Sequence, residues 1–427
     1  MPKEARGRFP SLAAIFLPLA CGYLLSYIFR TINGPLADEL IRRFSLDAES
    51  LGLLTSMYFL AFAVSAIPIG VALDALGPRR VQASLMSVAA VGAIVFALAP
   101  AAPILIIGRF LIGLGVAGGL MAGLKAHALW VPPQYLPLAN GGLVMFGGLG
   151  AIAATLPVGT IDAEFGWRAT FVILAGLSTA TAIAICALLP RHATATQRQN
   201  WRGALRGLID AVTDRRFWRF APLSASVVGT AFAIQGLWGA RWLVDIEGYG
   251  SDQLLHELLA MGVGLTLGAV VIGGATTWLR KRGVGEATVF SGFCIAFIAL
   301  QLVLLLHITL PATVLWGLIG GFGGMPVLSY SILDTMFPSE RVGRANSALN
   351  VLHLTTAWLV QAGMGIVIAR WHADATGHYP LVAYRVAFVV PLVLQLAGLI
   401  WFFSLRQSSL ANLTAKPISP DGRTETA

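Results

Sequence analysis

Apolar stretches of helical length recur along the whole chain and are separated by short polar segments. A bilayer-spanning helix needs about 20 predominantly apolar residues, and the stretches reach that length. The pattern therefore predicts an all-α membrane protein with twelve transmembrane helices, which we number as spans one to twelve. Their predicted ranges are 11–33, 51–73, 82–100, 104–128, 138–161, 169–189, 219–246, 254–279, 287–307, 311–335, 346–370 and 384–404.

The longest polar stretch inside the chain lies between the sixth and seventh spans and divides the chain into two sets of six. We expect an N-terminal half at 1–190, a cytoplasmic linker at 191–218 and a C-terminal half at 219–427 that ends in a short tail. A weak internal repeat supports this division, because an Ala-Asn pair opens the fifth span at Ala139 and the eleventh at Ala345. The repeat predicts two pseudo-symmetric six-helix halves.

Composition and charge fit a membrane protein. Hydrophobic residues make up 57% of the chain and charged residues 11%, whereas soluble proteins carry about 25% charged residues. The net charge of +9 comes from arginines and lysines concentrated in alternate loops, and cytoplasmic loops carry such an excess. We therefore expect a multi-pass protein of the cytoplasmic membrane, with both termini in the cytoplasm, the lipid bilayer as its environment and no nucleic acid partner.

A polar sequence between the second and third spans combines one carboxylate, two arginines and two glycines. These residues are Gly70, Asp74, Gly77, Arg79 and Arg80. The sequence resembles the loop signature G-x-x-x-D-x-x-G-x-[RK]-[RK] of the major facilitator superfamily, and every signature position is filled. The resemblance implies two six-helix halves, alternating access and a solute site between the halves near the midplane. It also implies a gating role, and we expect Asp74 to face the positive end of the eleventh span at Asn346.

Three polar side chains share one face of the first span. Tyr23, Tyr27 and Arg30 follow one another at helical spacing, and Asn33 extends the stripe. A guanidinium is always charged and offers a planar donor fork to carboxylate or phosphate, so the stripe predicts the wall of an anion-binding cavity. The segment from Tyr27 to Arg30 resembles the first helix of the organophosphate–phosphate antiporters, in which an arginine holds the substrate's anionic group. In the alternative, Arg30 lies in the outer part of the span and reaches the membrane surface.

The seventh span contributes a second group of candidates. Gln235, Trp238 and Arg241 fall on one helical face and are predicted to line the same cavity. The alternative for Trp238 is the aromatic belt at the membrane interface. By the internal repeat, the second arginine of the antiporters aligns near Phe232, which is not basic. This departure argues against an organophosphate substrate.

Other candidates lie in the fourth and eleventh spans. Arg109 begins an R-x-x-x-G-x-G sequence that resembles a superfamily signature, and in related symporters an arginine there steadies a carboxylate. Asp38 is the partner expected from its depth, and an Arg109 bonded to backbone carbonyls is the structural alternative. On the eleventh span, Asn350 and His353 share one side as substrate candidates, with packing as the alternative for His353. If protons are used, Asp38, Arg109 and His353 are the candidate coupling residues.

No Asp or Glu falls in the middle of any predicted span. A cavity that holds arginine and no midplane acid carries positive potential, which favours anions.

The chain has no ATP-binding glycine-rich loop and no clustered Cys/His site, so we expect no enzyme activity, no cofactor and no metal. The sequence predicts a monomeric secondary transporter of a small anionic organic solute, coupled to protons or to a counter-anion. Efflux of amphipathic, drug-like compounds and a non-transporting receptor or assembly factor are the alternatives.

Overall fold

The computed structural model describes residues 12–190, 209–308 and 310–404. The helices before residue 190 are α1 (Leu12–Thr31), α2 (Asn33–Phe44), α3 (Ala48–Ala97), α4 (Ala102–Val116), α5 (Gly119–Trp130), α6 (Leu136–Ala153) and α7 (Leu156–Leu188). The later helices are α8 (Arg215–Ala233), α9 (Gly239–Asp245), α10 (Ser251–Lys281), α11 (Glu286–Leu305), α12 (Ala312–Gly321), α13 (Met325–Met336), α14 (Ser339–Ile368) and α15 (Leu381–Ser404). The predicted cytoplasmic termini, and positions 191–208 of the predicted linker, lie outside the described residues, and the domain boundaries stay a prediction.

Eleven helical segments of the described ranges are long and apolar enough to span a bilayer, and together they form twelve membrane crossings. The 50-residue helix α3 supplies two crossings, because it folds back at Gly77, whose φ is 79°. Glycine adopts positive φ without steric cost. The loop that the sequence predicts around Arg79 and Arg80 is therefore helical, and the turn is confined to Gly77. The all-α fold with twelve spans is confirmed.

The spans are assembled from the helices as follows. Span one is α1 with α2, spans two and three are α3, span four is α4 with α5, span five is α6 with the start of α7, and span six is the rest of α7. Span seven is α8 with α9, span eight is α10, span nine is α11, span ten is α12 with α13, span eleven is α14 and span twelve is α15. We call spans one to six the first half and spans seven to twelve the second half.

Span one is longer than the hydropathy of the sequence predicts. α1 ends at Thr31, but α2 continues the span to Phe44. α2 carries charged residues on one side and buries Leu36 and Leu40 on the other, so its average hydropathy is too low to read as a membrane span. Arg30 consequently lies near the middle of the span and not in its outer part.

Span seven contains one turn of π-helix, at Ile234–Trp238, between α8 and α9. A π turn holds an extra residue and is frequent at functional sites. It carries Gln235 to a hydrogen bond with Arg30 of span one, and it places Trp238 against Gly52 of span two. The sequence pattern does not reveal this turn, because the face prediction assumes a regular α-helix.

The two halves meet at one end of the molecule, which we call the closed end. The polar contacts that join them here are Ala48 with Tyr379, Gln361 with Thr55 and Arg241 with Asp38. The backbones also approach closely, since a Cβ placed on Gly365 of span eleven would lie 2.5 Å from the carbonyl oxygen of Ala48. Spans two and eleven therefore pack directly on each other at this end.

The opposite end, which we call the open end, carries the Gly77 turn. A Cβ placed on Gly70 of span two or on Gly343 of span eleven would meet no atom within 4 Å. Tyr27 and Tyr330, which lie between the halves, remain partly exposed. The same two spans that touch at the closed end thus lie apart here, and the space between the halves is reached from the open end.

Candidate functional site

Arg30 lies between the two halves in the middle of span one. It is 7% exposed, and its Nη2 donates a hydrogen bond to Oε1 of Gln235 at 3.2 Å. Its guanidinium carbon lies 3.6 Å from the centre of the Phe232 ring, and it also lies over the rings of Tyr27 and Phe59 at 5.2 and 5.8 Å. These contacts exclude the alternative in which Arg30 reaches the membrane surface.

Gln235 holds the Arg30 guanidinium from the second half. Its side-chain nitrogen donates to the carbonyl oxygen of Gly320 on span ten at 3.0 Å, which leaves its oxygen to accept from Arg30. A guanidinium has five N–H donors, and Nε of Arg30 is buried with no hydrogen-bond partner in the described chain. Arg30 is therefore positioned by one donor, and the 7% of the side chain that stays exposed is what an anion can reach.

Three tyrosines surround Arg30. The rings of Tyr23 and Tyr27 meet edge to face with their centres 5.2 Å apart, and their hydroxyls lie 3.5 Å apart. Tyr330 of span ten is close enough to interact electrostatically with both, and its hydroxyl donates to Oδ1 of Asn350 at 3.0 Å. These residues form one group that we call the central site: Tyr23, Tyr27, Arg30, Phe232, Gln235, Tyr330 and Asn350.

Glycines of span five make room for the tyrosine rings. A Cβ placed on Gly147 would lie 2.6 Å from the Tyr23 ring and 2.9 Å from the Tyr27 ring. A Cβ on Gly150 would overlap the carbonyl oxygen of Leu24. Small residues allow this approach of helix backbones, so spans one and five together form one wall of the central site.

Phe232 and Tyr330 of the central site, and Phe59 beside it, are residues that the sequence does not single out by residue type. Aromatic residues make up 10% of the chain, and most of them pack against other apolar side chains, so their presence in a span carries little information. The one signal is positional: the internal repeat aligns Phe232 with the second arginine of the antiporters. The structure places that ring directly against Arg30.

Arg241 lies at the closed end and binds two carboxylates. Its guanidinium pairs with Asp38 of span one and with Asp245 of its own span. Asp245 is fully buried and also accepts a hydrogen bond from the hydroxyl of Tyr384 at 2.6 Å. The expectation that Arg241 lines the cavity beside Arg30 is therefore corrected, because its donors are held by carboxylates at the closed end.

Trp238 and Asn33 also lie toward the closed end. Trp238 is 1% exposed and donates from Nε1 to the carbonyl oxygen of Gln361 at 3.0 Å, so it does not belong to an interfacial belt. Asn33 is buried at the start of α2. A cavity of about 230 Å³ lies beside Trp238 and is also lined by Arg241 and Tyr379. Neither Trp238 nor Asn33 joins the central site directly.

Arg109 is fully buried in span four and does not meet Asp38. Its guanidinium carbon lies 5.4 Å from the ring centre of Tyr58 on span two. None of its three nitrogen atoms has a hydrogen-bond partner in the described residues, which also excludes bonds to their backbone carbonyls. The expected Asp38–Arg109 pair is wrong, because α2 carries Asp38 to the closed end, where Arg241 binds it.

His353 is buried among spans of the second half. Its Nε2 lies 2.8 Å from the hydroxyl of Ser224, and that hydroxyl is also 2.8 Å from the hydroxyl of Ser329. The His353 ring is 1% exposed and lies 6.0 Å from the Tyr330 ring. His353 therefore packs behind Tyr330 and supports the central site without lining it, whereas Asn350 is partly exposed within the site.

Within the described ranges, no group of three or more His, Cys, Asp or Glu side chains could hold a metal ion.

Asp74 and Asn346 lie at the open end, each with a partner in its own half. Asp74 forms an ion pair with Lys125 of span four. Asn346 donates to Oδ1 of Asp334 at 3.0 Å. The contact that we expect between Asp74 and the start of span eleven belongs to the opposite state, in which this end is closed, and it stays a prediction.

The other residues of the Gly70–Arg80 motif surround the turn between spans two and three. Arg79 donates to the carbonyl oxygen of Cys186 on span six, while Arg80 is exposed. Gly77 takes the positive φ that the turn requires. The motif therefore ties spans two, three and six together at the open end.

Solved transporter structures share this fold. The crystal structure of a bacterial homologue of the human lysosomal transporter Spinster, in an inward-facing and unoccupied conformation, matches with a TM-score of 0.73. The two are 16% identical in sequence, and the match covers 91% of this chain and 96% of that chain. At this identity the likeness shows the fold alone.

Two transporters are similar to this chain in sequence. A probable sulfoacetate transporter, SauU of Cupriavidus necator, is 28% identical over 58% of this chain and 62% of its own length. The gentisate transporter of Corynebacterium glutamicum is 28% identical over 77% of this chain and 74% of its own length. A family profile described as Major Facilitator Superfamily matches residues 19–359. That match covers most of the chain, and the chain therefore belongs to the Major Facilitator Superfamily.

Proposed function

We propose that the protein is a secondary active transporter of a small organic anion, which binds at the central site and crosses the membrane by alternating access. One observation carries the proposal: Arg30 of the first half is buried between the halves and is held by Gln235 of the second half. A positive charge in a low-dielectric site attracts anions. An anion bound there touches both halves, so its binding can bias their relative movement.

The two similar transporters support an anionic solute. One is named for sulfoacetate and the other for gentisate, and both compounds are small organic anions. The central site differs from an organophosphate site by the absence of a second arginine at Phe232. A small organic acid fits the proposal better than a phosphate ester does.

The orientation follows from the loop cations and is part of the proposal. With both termini in the cytoplasm of a cytoplasmic membrane, the closed end faces outward and the open end faces the cytoplasm. The described state is then inward-facing, and the solute reaches the central site from the cytoplasmic side. Closure of the Asp74 end and opening of the Arg241 end complete the transport cycle.

If transport is coupled to protons, we propose that the proton acts at the closed end. The Asp38 side chain is 49% exposed and pairs with Arg241, so a proton on Asp38 would weaken the contact between the halves. Arg109 and His353, the other two candidates, are both buried. Solute exchange that is independent of pH in vesicles, without uptake driven by an imposed proton gradient, would remove proton coupling and leave antiport with a counter-anion.

A ligand screen followed by substitution of Arg30 tests the proposal. Purified protein is screened by thermal stability against organic acids, phosphates, sugars and drug-like amines, and the best ligand is then measured by direct binding. Arg30→Ala should weaken anion binding by about 2–5 kcal/mol, because the contact is charge-assisted and buried. Arg30→Lys keeps the charge but loses the donor fork, so it should weaken binding clearly. Tyr27→Phe should have a smaller effect.

The matched control is Arg42→Lys, which changes an exposed arginine on the same span. It should leave binding unchanged. Wild-type anion affinity in Arg30→Ala would overturn the proposal. Stabilisation by amphipathic amines alone would favour efflux of drug-like compounds, and a well-folded protein that binds ligands without moving them would favour a receptor.

A further inference from the structure

We propose that the central site selects planar aromatic acids with a single negative charge, of the benzoate type. The inference rests on the proposed function, because it names the class of anion that the same site accepts. Three features carry it: the number of available positive charges, the arrangement of the rings around Arg30, and the engagement of the neighbouring amide groups.

The charge of the site matches one negative charge on the ligand. Arg30 is its cationic side chain, and the partner of Arg30, Gln235, is a neutral amide. Arg241 at the closed end is bound by two carboxylates, and Arg109 is fully buried against Tyr58. A second negative charge on a ligand would enter a low-dielectric site without a partner, which is strongly unfavourable.

The rings of the site form a stack that ends at Arg30. Phe232 lies against the guanidinium, and Phe59 stacks on Phe232 with the ring planes 15° apart. On the other side, Tyr23 and Tyr27 pack edge to face. Aromatic pairs prefer these stacked and edge-to-face arrangements. The ring of Tyr27, which lies over the Arg30 guanidinium, is partly exposed between the halves. A flat aromatic ring whose carboxylate binds Arg30 can pack against it, whereas a puckered aliphatic ring packs less closely.

Three of the four amide atoms of the site are already engaged within the described chain, and Nδ2 of Asn350 is the exception. Gln235 bonds both Arg30 and the carbonyl oxygen of Gly320, and Oδ1 of Asn350 accepts from Tyr330. A sugar acid brings several hydroxyls, each of which loses hydrogen bonds to water when it is buried. The site offers such hydroxyls few free partners, so a polyhydroxy acid should bind weakly even though its charge is correct.

Four anions and one neutral compound separate these features. The full-length protein, purified in detergent, is titrated at pH 7 with benzoate, cyclohexanecarboxylate, gluconate, phenyl phosphate and benzyl alcohol. Benzoate should bind roughly tenfold more tightly than each of the other four. Cyclohexanecarboxylate tests planarity, gluconate tests the apolar body, phenyl phosphate tests the single charge, and benzyl alcohol tests the need for an anion.

Tyr27→Leu tests whether the partly exposed ring over Arg30 provides the selectivity. The preference for benzoate over cyclohexanecarboxylate should fall roughly tenfold, to near one, while benzoate still binds better than benzyl alcohol. The control is Phe165→Leu, which removes a ring that is 65% exposed on the outer surface of the fold. It should leave both ratios unchanged.

The outcomes separate this inference from the proposed function. If cyclohexanecarboxylate, gluconate or phenyl phosphate binds as tightly as benzoate, aromatic monoacid selectivity is refuted while anion binding at Arg30 stands. An unchanged benzoate preference in Tyr27→Leu also refutes the proposed basis of selectivity. If benzyl alcohol binds as tightly as every anion, both this inference and the proposed anion transport fail.

Discussion

Arg241 of span seven forms an ion pair with Asp38 of span one, and this pair joins the two halves at the closed end. The second partner of Arg241 is Asp245 of its own span, which is fully buried and bonded to Tyr384. Removal of Asp38 and removal of Arg241 would therefore have different effects. Loss of Asp38 would remove a contact between the halves, whereas loss of Arg241 would leave Asp245 buried without a counter-charge.

Asp38→Asn should shift the protein toward the state that is open at the Arg241 end. Because Asp38 is half-exposed, we expect a shift of about 0.5–1 kcal/mol, or a two- to fivefold change in the population ratio. Spin labels at the exposed Glu49 and Asp252, one in each half at the closed end, measure the change in distance. The control, Glu39→Gln, breaks an exposed pair within the same helix and should leave the distances unchanged. Equal distances in both variants would show that the pair does not hold the closed end.

Gly365→Ala should open the closed end without unfolding either half. The added methyl group would lie 2.5 Å from the carbonyl oxygen of Ala48, across the contact between the halves, so the two spans must move apart. Gly363→Ala, two residues away on the same span, meets nothing within 4 Å and is the matched control. Accessibility of a cysteine introduced at the buried Leu51, which lines the cavity at the closed end, should rise in the first variant and stay constant in the second. Equal accessibility would show that the helices absorb the methyl group locally.

Asp74→Asn should reduce transport while the protein inserts normally into the membrane. In the described state Asp74 pairs with Lys125, and in the opposite state we expect it to face the start of span eleven, where the free N–H groups and the helix dipole favour a carboxylate. The variant loses both interactions and should change the balance of states. Glu164→Gln, an exposed change at the other end of the first half, is the control. Unchanged uptake kinetics in Asp74→Asn would rule out a gating role.

Arg109→Met should keep or raise the melting temperature and reduce transport. A buried charge without a hydrogen-bond partner costs free energy, and methionine supplies a side chain of similar length without that cost. Arg168→Met is the contrast, because Arg168 bonds the carbonyl oxygen of Ala99 and lies over the Trp167 ring, so this change should lower the melting temperature. A large loss of stability in Arg109→Met with full transport would assign Arg109 a structural role.

Acid should loosen the 369–380 loop near the closed end. Hydrogen bonds from the hydroxyl of Thr376, from the backbone N–H of His378 and from the backbone N–H of Thr376 lower the pKa of Asp374 to about 2. Since the folded pKa is below the unfolded value of about 3.9, this stabilisation is complete above pH 4 and is lost as the pH falls toward 2. Asp374→Ala should produce the same loosening at pH 7, seen as faster hydrogen exchange at Tyr379. Unchanged exchange would show that the loop is held by other contacts.

The sequence by itself determined the number of spans, the family and the polar face of span one. Each of these depends on properties that are local in the chain. A hydrophobic stretch must be buried in lipid whatever its neighbours are, helical spacing places Tyr23, Tyr27 and Arg30 on one side, and the Gly70–Arg80 motif is contiguous. For the same reason the turn at Gly77 could be anticipated, although its confinement to a single residue could not.

The tertiary structure alone decided which charges meet. Depth along the chain suggested Asp38 for Arg109, but α2 continues span one beyond its hydrophobic part and carries Asp38 to Arg241. The π turn of span seven, the ring of Phe232 beside Arg30 and the position of Tyr330 across the site likewise depend on contacts between the halves. A sequence pattern indicates whether a side chain favours lipid, protein interior or water. Which partner the side chain contacts depends on distances in space, and these depend on how the halves pack in a given state.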